Sequence, residues 1–137
     1  MQYIEFIQEV CKRGNIPDYI RARRIVEVCM STLGQRLPTT LVSELGAQLP
    51  LEMKESLHSL NDPSKNDTFT LEEYYNRVSA RAKTGYPNAV RLSRVVMETL
   101  NLAVTDAIIS KVLEKLPAQF SELFGQEPTD PLSPTIE

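Results

Sequence analysis

Few side chains in this sequence have types and spacing suited to catalysis. His58 is the only histidine, so the chain lacks the histidine pair that many metal sites use. Cys11 and Cys29 lie at apolar positions of predicted helices, where thiols usually serve as small hydrophobic side chains. No glycine-rich phosphate loop, HExxH motif or nucleophile elbow is present. We therefore predict no catalytic residue and no cofactor, and interpret His58 as a structural residue near a helix C-terminus.

One segment partly matches a calcium-binding loop between two helices. The stretch from Asp62 to Glu73 has the length of such a loop, with Phe69 at its usual apolar position. Two features argue against calcium: Asp67 stands where the sharp turn requires glycine, and only Asp62 and Glu73 would contribute ligand charge. Thr70 and Glu73 are equally explained as a capping box at a helix start, so we predict no metal site. The residues at ligand positions are Asp62, Ser64, Asn66, Thr68, Thr70 and Glu73.

Basic residues are concentrated in two stretches. There are five cations and one acid between residues 12 and 24, and five cations and no acid between residues 76 and 97. Together with nearby tyrosines, exposed cations could bind an acidic protein partner. Alternatively, the cations form internal ion pairs or a solvated face, and the tyrosines lie over a helix start with only the hydroxyl in water. The candidate partner-binding residues are Tyr19, Arg21, Arg23, Arg77, Tyr86 and Arg94.

The composition is that of a soluble globular protein. A chain of 137 residues is long enough for one domain with a substantial core. Its net charge of −3 argues against a general nucleic-acid binder. No apolar stretch approaches the ~18 residues of a membrane-spanning helix, and the start, MQYIEFIQEV, lacks the basic region of a signal peptide. We therefore expect a cytoplasmic protein without membrane insertion.

The sequence also repeats itself. The segment that opens at Glu5 returns at Glu73, 68 residues later, and the segment that closes at Leu57 returns at Phe124, 67 residues later. The two copies therefore differ in length by one residue in the loop around residues 14–17. A repeat of this length predicts two similar units that bury their apolar faces against each other. Corresponding residues include Phe6 and Tyr74, Val10 and Val78, Leu33 and Leu100, and Pro50 and Pro117.

Apolar residues recur at helical spacing almost throughout, and no run of strict alternation indicates a strand. The predicted fold class is all-α, with two tandem helical repeats of about four helices each, packed as one pseudo-symmetric domain. The first copy is residues 1–60, a polar linker is residues 61–69, the second copy is residues 70–124, and residues 125–137 are a predicted disordered tail. The helices of the second copy are predicted at residues 71–83, 87–104, 106–116 and 117–124.

The recurring positions also predict the core and two ion pairs. Glu5 recurs as Glu73 and Arg24 as Arg91, so each pair is predicted to connect a first helix to a second helix. Apolar residues that recur at helical spacing are predicted to be buried. They are Phe6, Val10, Cys29, Leu33, Leu45, Leu49, Tyr74, Val78, Val96, Leu100, Val112 and Leu116.

Two repeated phrases point to a family. ELGAQLPLEMKESL and KVLEKLPAQFSELF each close a unit that opens with EFIQEV or EYYNRVSARA. This arrangement resembles the bacterial family called domain of unknown function 2267, over about residues 2–124. The resemblance implies an all-α fold and a bacterial cytosolic setting, and it implies no reaction. The sequence departs from the family pattern before each third helix, where residues 38–40 and 105–107 replace the family's glycines.

Three classes of function remain open from the sequence. The leading hypothesis is a non-enzymatic protein-interaction or regulatory module in the bacterial cytoplasm. The alternative is a small-ligand or metal-binding protein that uses a pocket between the copies or the loop at residues 62–73. The third is an enzyme whose catalytic carboxylates come together only in the folded chain.

Overall fold

The computed structural model describes residues 1–65 and 67–126, and every regular element within them is helical. The all-α prediction is confirmed. The first half (residues 1–60) holds four α-helices, and the second half (residues 70–126) holds three α-helices and one 3₁₀ helix. From residue 127 onward, the predicted disordered tail lies outside the described residues. The helices are α1 Tyr3–Gly14, α2 Tyr19–Arg36, α3 Thr39–Gly46, α4 Leu51–Ser59, α5 Leu71–Ala82, α6 Tyr86–Ala103 and α7 Asp106–Glu114, followed by the 3₁₀ helix Ala118–Ser121.

Local signals start and stop these helices. The Asp18 side chain accepts hydrogen bonds from two backbone N–H groups at the start of α2. The Thr70 hydroxyl accepts a hydrogen bond from one backbone N–H group at the start of α5. α1 and α5 end alike, at Asn15 and Lys83, which are left-handed with φ of 53° and 55°. The connections between first and second helices are therefore tight turns that fix how the helices meet.

The helices pack across the two halves around one continuous core. α1 packs on α2 and α6, α5 packs on α6 and α2, and α4 lies between α2 and α3. Eleven of the twelve predicted core residues are buried. Leu49 is only partly buried, because it follows α3 in the turn before Pro50. No helix within the described ranges is long and apolar enough to cross a lipid bilayer.

The last helix of the second half differs from its prediction. Residues 117–124 were expected to be helical, but only Ala118–Ser121 form a helix, and it is 3₁₀. In the first half, α2 and α4 approach so closely that a Cβ at Gly34 would lie 1.9 Å from the Leu57 carbonyl oxygen. At the corresponding place in the second half, the Asn101 side chain donates to the Phe124 carbonyl oxygen over 2.9 Å. Where Gly34 lets α4 touch α2, the Asn101 side chain stands between α6 and the last segment, and that segment closes tighter i→i+3 hydrogen bonds.

The predicted Glu5–Arg24 ion pair is wrong. Glu5 instead accepts a hydrogen bond from the Gln2 backbone N–H over 2.8 Å and completes a capping box at the start of α1. Arg24 is exposed on α2 and forms no ion pair within the described residues. A cap three residues away orders less of the chain than a contact between helices, so the local partner is favoured.

The predicted Glu73–Arg91 ion pair is also wrong. Glu73 pairs with Arg77 one turn along α5, at 2.9 Å, which is the usual spacing for a helical ion pair. Arg91 Nη1 donates to the Gly14 carbonyl oxygen over 2.7 Å. Because Gly14 ends α1, Arg91 of the second half satisfies a free carbonyl group at the C-terminus of a helix in the first half.

Candidate functional site

A surface groove lies beside the first turns of the first, second and last helices in each half. The lining positions correspond at the sequence offsets of the repeat, with Tyr19 matching Tyr86 and Pro50 matching Pro117. The grooves therefore include both candidate tyrosines. The first groove is lined by Met1, Gln2, Tyr3, Ile4, Tyr19, Pro50 and Glu52. The second groove is lined by Thr70, Leu71, Glu72, Tyr75, Tyr86, Pro117, Gln119 and Glu122.

The first groove is surrounded by exposed apolar side chains. Met1 and Ile4, which line it, are 51% and 52% exposed. Ile20 and Leu51 are 66% and 65% exposed and follow the lining residues Tyr19 and Pro50 in the chain. A single exposed apolar residue is ordinary, but two in the lining of one groove and two next to its lining residues in the chain are of the kind used in binding. Sequence reasoning missed these residues, although Ile20 and Leu51 stand off the apolar stripes of their helices.

Three arginines follow Tyr19 and Ile20 on α2, and one of them, Arg23, acts on Tyr3 of the groove. Arg21, Arg23 and Arg24 are exposed, and none forms an ion pair among residues 1–65 and 67–126. The structure thus leaves the candidate residues Arg21 and Arg23 accessible. Their guanidinium groups keep their full hydrogen-bonding capacity for a carboxylate or another acidic group.

Tyr3 and Tyr19 form the aromatic part of the first groove. Both are partly buried and pack against the core, so Tyr19 lies over the start of α2 in the way the alternative interpretation expects. Burial, followed by the nearby Glu27 carboxylate, raises the pKa of Tyr3 to about 12. The Tyr3 side chain is therefore a neutral phenol at neutral pH. Glu27, Arg23 and Glu52 all act on Tyr3, so charges of both signs lie near this part of the groove.

The second groove contains an aromatic corner with acidic edges. The rings of Tyr75 and Tyr86 meet at 84°, with centroids 6.0 Å apart. The Tyr75 hydroxyl donates to Glu122 Oε2 over 3.0 Å. Burial, and then this hydrogen bond, raises the pKa of Tyr75 above its ordinary value. Sequence reasoning missed Tyr75 and Glu122, because nothing in a stretch of sequence signals a contact across 47 residues.

Two candidate arginines of the second half have different environments. Arg77 is only partly exposed and has acidic partners within the chain, as the alternative of internal ion pairs predicts. Arg77 pairs with both Asp67 and Glu73 at 2.9 Å, and its guanidinium carbon lies 3.9 Å from the centre of the Phe69 ring. Arg77 thus fixes the end of the linker against α5. Arg94 is exposed on α6, two turns after Tyr86, and forms no ion pair within the described chain.

The loop considered for calcium uses its acidic groups for other contacts. Asp62 accepts hydrogen bonds from the Ser64 hydroxyl (2.7 Å) and backbone N–H (3.0 Å), which lower the pKa of the Asp62 carboxyl. Asp67 and Glu73 both pair with Arg77. Residues 1–65 and 67–126 contain no group of three or more potential metal ligands. Asn66, one of the ligand positions, lies outside the described residues.

The thiols and the histidine lie in structural positions. Cys29 is fully buried, and burial raises its pKa to about 12. Cys11 is partly exposed, and burial, followed by Asp18, raises the pKa of its thiol as well. Both thiols are therefore protonated at neutral pH, which makes them weak nucleophiles. His58 lies in the last turn of α4, where the free carbonyl groups of a helix end favour a basic side chain.

A cavity of about 400 Å³ lies where the end of α2 and the linker meet Lys115 of the second half. Asn61 closes one side of it: its side chain donates to the Gly34 and Leu37 carbonyl oxygens (2.8 Å each) and accepts from the Thr39 hydroxyl (2.7 Å). These bonds connect α2, α3 and the linker. The Asn61 side chain thus has structural partners, whereas the Oε1 atom of Gln35, another residue of the lining, is buried without a hydrogen-bond partner among the described residues.

Comparison with known proteins identifies a family. The model of the family described as "Uncharacterized conserved protein (DUF2267)" matches residues 3–123, which is most of the chain. This match confirms the resemblance that the repeated phrases indicate. No curated protein matches the chain significantly.

Proposed function

The chain belongs to the DUF2267 family, and from this premise we propose that it is a non-enzymatic helical module that binds an acidic protein partner in the bacterial cytoplasm. The observation that carries the proposal is the first groove, with four exposed apolar side chains beside three accessible arginines. Burial of apolar area drives association, and unpaired surface cations steer an acidic partner towards the groove. We therefore assign partner binding to Tyr19, Arg21 and Arg23 in preference to the candidates of the second half.

The charges around the first groove suggest how the partner lies. Its acidic groups would contact Arg21, Arg23 and Arg24 on the α2 side. Glu52 of α4 also acts on Tyr3 and would repel carboxylates from the α4 side of the groove. A segment with acidic residues along one edge and apolar residues along the other fits this arrangement in one orientation only. The different charges on the two sides of the groove would thus select the orientation of the bound segment as well as the partner itself.

We also infer that the two halves are structural copies related by a pseudo-twofold axis. α1 and α5 both have 12 residues, α2 and α6 both have 18, and α1 and α5 both end in a left-handed residue. The packing is reciprocal, since α1 contacts α6 while α5 contacts α2. In an experimental structure, superposition of residues 3–59 on residues 71–126 tests this inference. Helices that point in different directions after superposition of α1 on α5 would contradict it.

Affinity purification from bacterial cytoplasm tests the proposed function. The full chain serves as bait beside two variants: Arg21→Glu with Arg23→Glu, and a charge-matched control, Lys12→Glu with Lys115→Glu. We expect a defined set of proteins to co-purify with the wild type and the control and to be lost with the arginine variant. Their retention should also fall as salt rises, because screening acts over about 10 Å at 0.1 M salt.

Two results would contradict the proposal. One is the same set of proteins on all three baits, with no dependence on salt. The other is retention that depends on Arg77 and Arg94, which would move the contact to the second half. Melting temperatures within a few degrees of the wild type show that the variants are folded, since exposed charges contribute little to stability.

A further inference from the structure

We propose that the second groove binds an alkylammonium group, with a quaternary ammonium as its best ligand. Tyr75 and Tyr86 would contact the methyl groups of the cation, and Glu72 and Glu122 would balance its charge. This site is separate from the partner-binding surface proposed for the first groove. Each of the two proposals can fail without the other.

The ring geometry is the first argument. Tyr75 and Tyr86 pack edge to face at 84° with centroids 6.0 Å apart, and both line the groove, so they give it two aromatic walls. The faces of such rings carry negative electrostatic potential and attract a cation within about 6 Å of the ring centre. Tyr86 is 39% exposed and offers most of the accessible aromatic surface, while Tyr75 forms the inner wall and is 4% exposed.

The lining charges are the second argument. Glu72 and Glu122 are exposed, and they are the charged residues among the described lining of the groove. The Tyr75 hydroxyl holds the Glu122 carboxylate at the edge of the aromatic corner. A cation that contacts the rings would therefore lie beside fixed negative charge, with a volume of about 430 Å³ available to its substituents.

Opposing charges decide which kind of cation fits. The N-terminal ends of α5 and α6 lie beside the groove, and each contributes about half a positive charge. The positive charge of Arg94 also acts on Tyr75 at the inner wall of the groove. These groups weaken the attraction for a small, strongly hydrated ion. A large cation whose charge is spread over methyl groups loses less hydration and gains more from the rings, which favours a quaternary ammonium.

The first groove provides an internal control. Tyr19 corresponds to Tyr86, but Ile4 stands at the position of Glu72 and Ile7 at the position of Tyr75. The first groove has a second tyrosine, Tyr3, and a lining carboxylate, Glu52, but it has no ring at the position of Tyr75 and no carboxylate at the position of Glu72. A cation that recognises the aromatic corner should perturb the second half of the protein and leave the first half unchanged.

Nuclear magnetic resonance titration of the full chain tests the proposal. The probes are choline, a peptide that contains trimethyllysine, and 3,3-dimethylbutanol, which has the shape of choline without its charge. We expect saturable shifts near Tyr86 with either cation below about 10 mM, and no saturation with the neutral alcohol. Tighter binding of the peptide would identify a protein ligand, and tighter binding of choline a free metabolite.

Variants separate this site from non-specific binding. Tyr86→Ala should weaken binding about tenfold, whereas Tyr86→Phe should stay within about threefold of the wild type. Glu122→Gln keeps an acceptor for Tyr75 but removes the charge, and should weaken binding severalfold. Tyr19→Ala, at the corresponding place in the first groove, is the matched control and should leave the affinity for the ammonium probes unchanged. Equal binding of the neutral alcohol, or binding indifferent to both Tyr86→Ala and Glu122→Gln, would overturn the proposal, as would the absence of saturable shifts.

Discussion

The rims of the two grooves differ at positions that correspond in the sequence. Ile4 and Glu52 of the first groove stand where the second groove has Glu72 and Gln119. The first rim is mainly apolar and lies beside three accessible arginines, while the described charged lining of the second is acidic. One type of groove thus presents two surfaces of different chemistry.

The positions that agree and those that differ show what packing constrains. Pro50 and Pro117 precede the last helix of each half, and Tyr19 and Tyr86 begin the second helices. These residues set the walls of the groove and have the same type in both halves. Ile4 and Glu72 project from the first turn of α1 and α5, where packing imposes little restriction. The fold therefore determines where a groove forms, and the rim determines what it can bind.

The largest expected effect comes from the core that both grooves share. Leu33 and Leu100 correspond in the two halves and have no exposed surface. Truncation of either to alanine should lower the free energy of unfolding by roughly 2–5 kcal/mol. Because the core is continuous, urea denaturation followed by circular dichroism should give a single transition for each variant. Two transitions, with one half unfolding alone, would show that the grooves belong to independent domains.

A smaller effect distinguishes the last helices of the two halves. Gly34→Ala places a methyl group against the Leu57 carbonyl oxygen, so it should cost about 3 kcal/mol through forced separation of α2 and α4. Asn101→Ala removes one hydrogen bond to Phe124 and should cost about 1 kcal/mol. Chemical denaturation measures both values. Gly85→Ala, whose added Cβ meets only an ordinary contact, is the control for the loss of a glycine, and it should cost about 1 kcal/mol or less because Gly85 is the N-cap of α6.

A larger loss of stability from Asn101→Ala than from Gly34→Ala would contradict the role assigned to the close approach of α2 and α4 at Gly34. Equal costs would have the same consequence, because they would show that α2 and α4 can separate without strain. The comparison between the halves would then need another explanation for the short 3₁₀ helix at Ala118–Ser121.

Local features of the structure could be predicted from the sequence, and contacts between distant segments could not. Helical spacing located the core, and prolines and capping residues located most helix ends, because both act within a few residues. The predictions of ion pairs for Glu5 and Glu73 were wrong. The repeat in the sequence identifies equivalent residues, but it does not say which way their side chains turn. The contacts of Arg77 with Asp67, and of Tyr75 with Glu122, depend on how the linker and the last segment fold back.

The smallest expected effect compares Tyr3 and Tyr75, which line the two grooves. Burial raises the pKa of Tyr3 to about 12, and burial together with Glu122 raises that of Tyr75. The contribution of each tyrosine to the stability of the folded state is therefore fully present below the ordinary pKa of 10.0. It is lost as pH rises through the higher pKa that each tyrosine has in the folded state. The ultraviolet absorbance of ionised tyrosine follows both side chains, and Tyr3→Phe and Tyr75→Phe assign the signals.

The variant Glu122→Gln then separates the two grooves. Removal of the carboxylate should lower the pKa of Tyr75, because a hydrogen bond to Glu122 opposes loss of the Tyr75 proton. The pKa of Tyr3 should not change, since Glu27 and Glu52, which act on it, are untouched. A matching fall in the pKa of Tyr3 would mean that the two grooves are electrostatically coupled. An unchanged pKa of Tyr75 would show that Glu122 does not hold this ring in solution, and the acidic aromatic corner would then lose the contact that distinguishes it from the first groove.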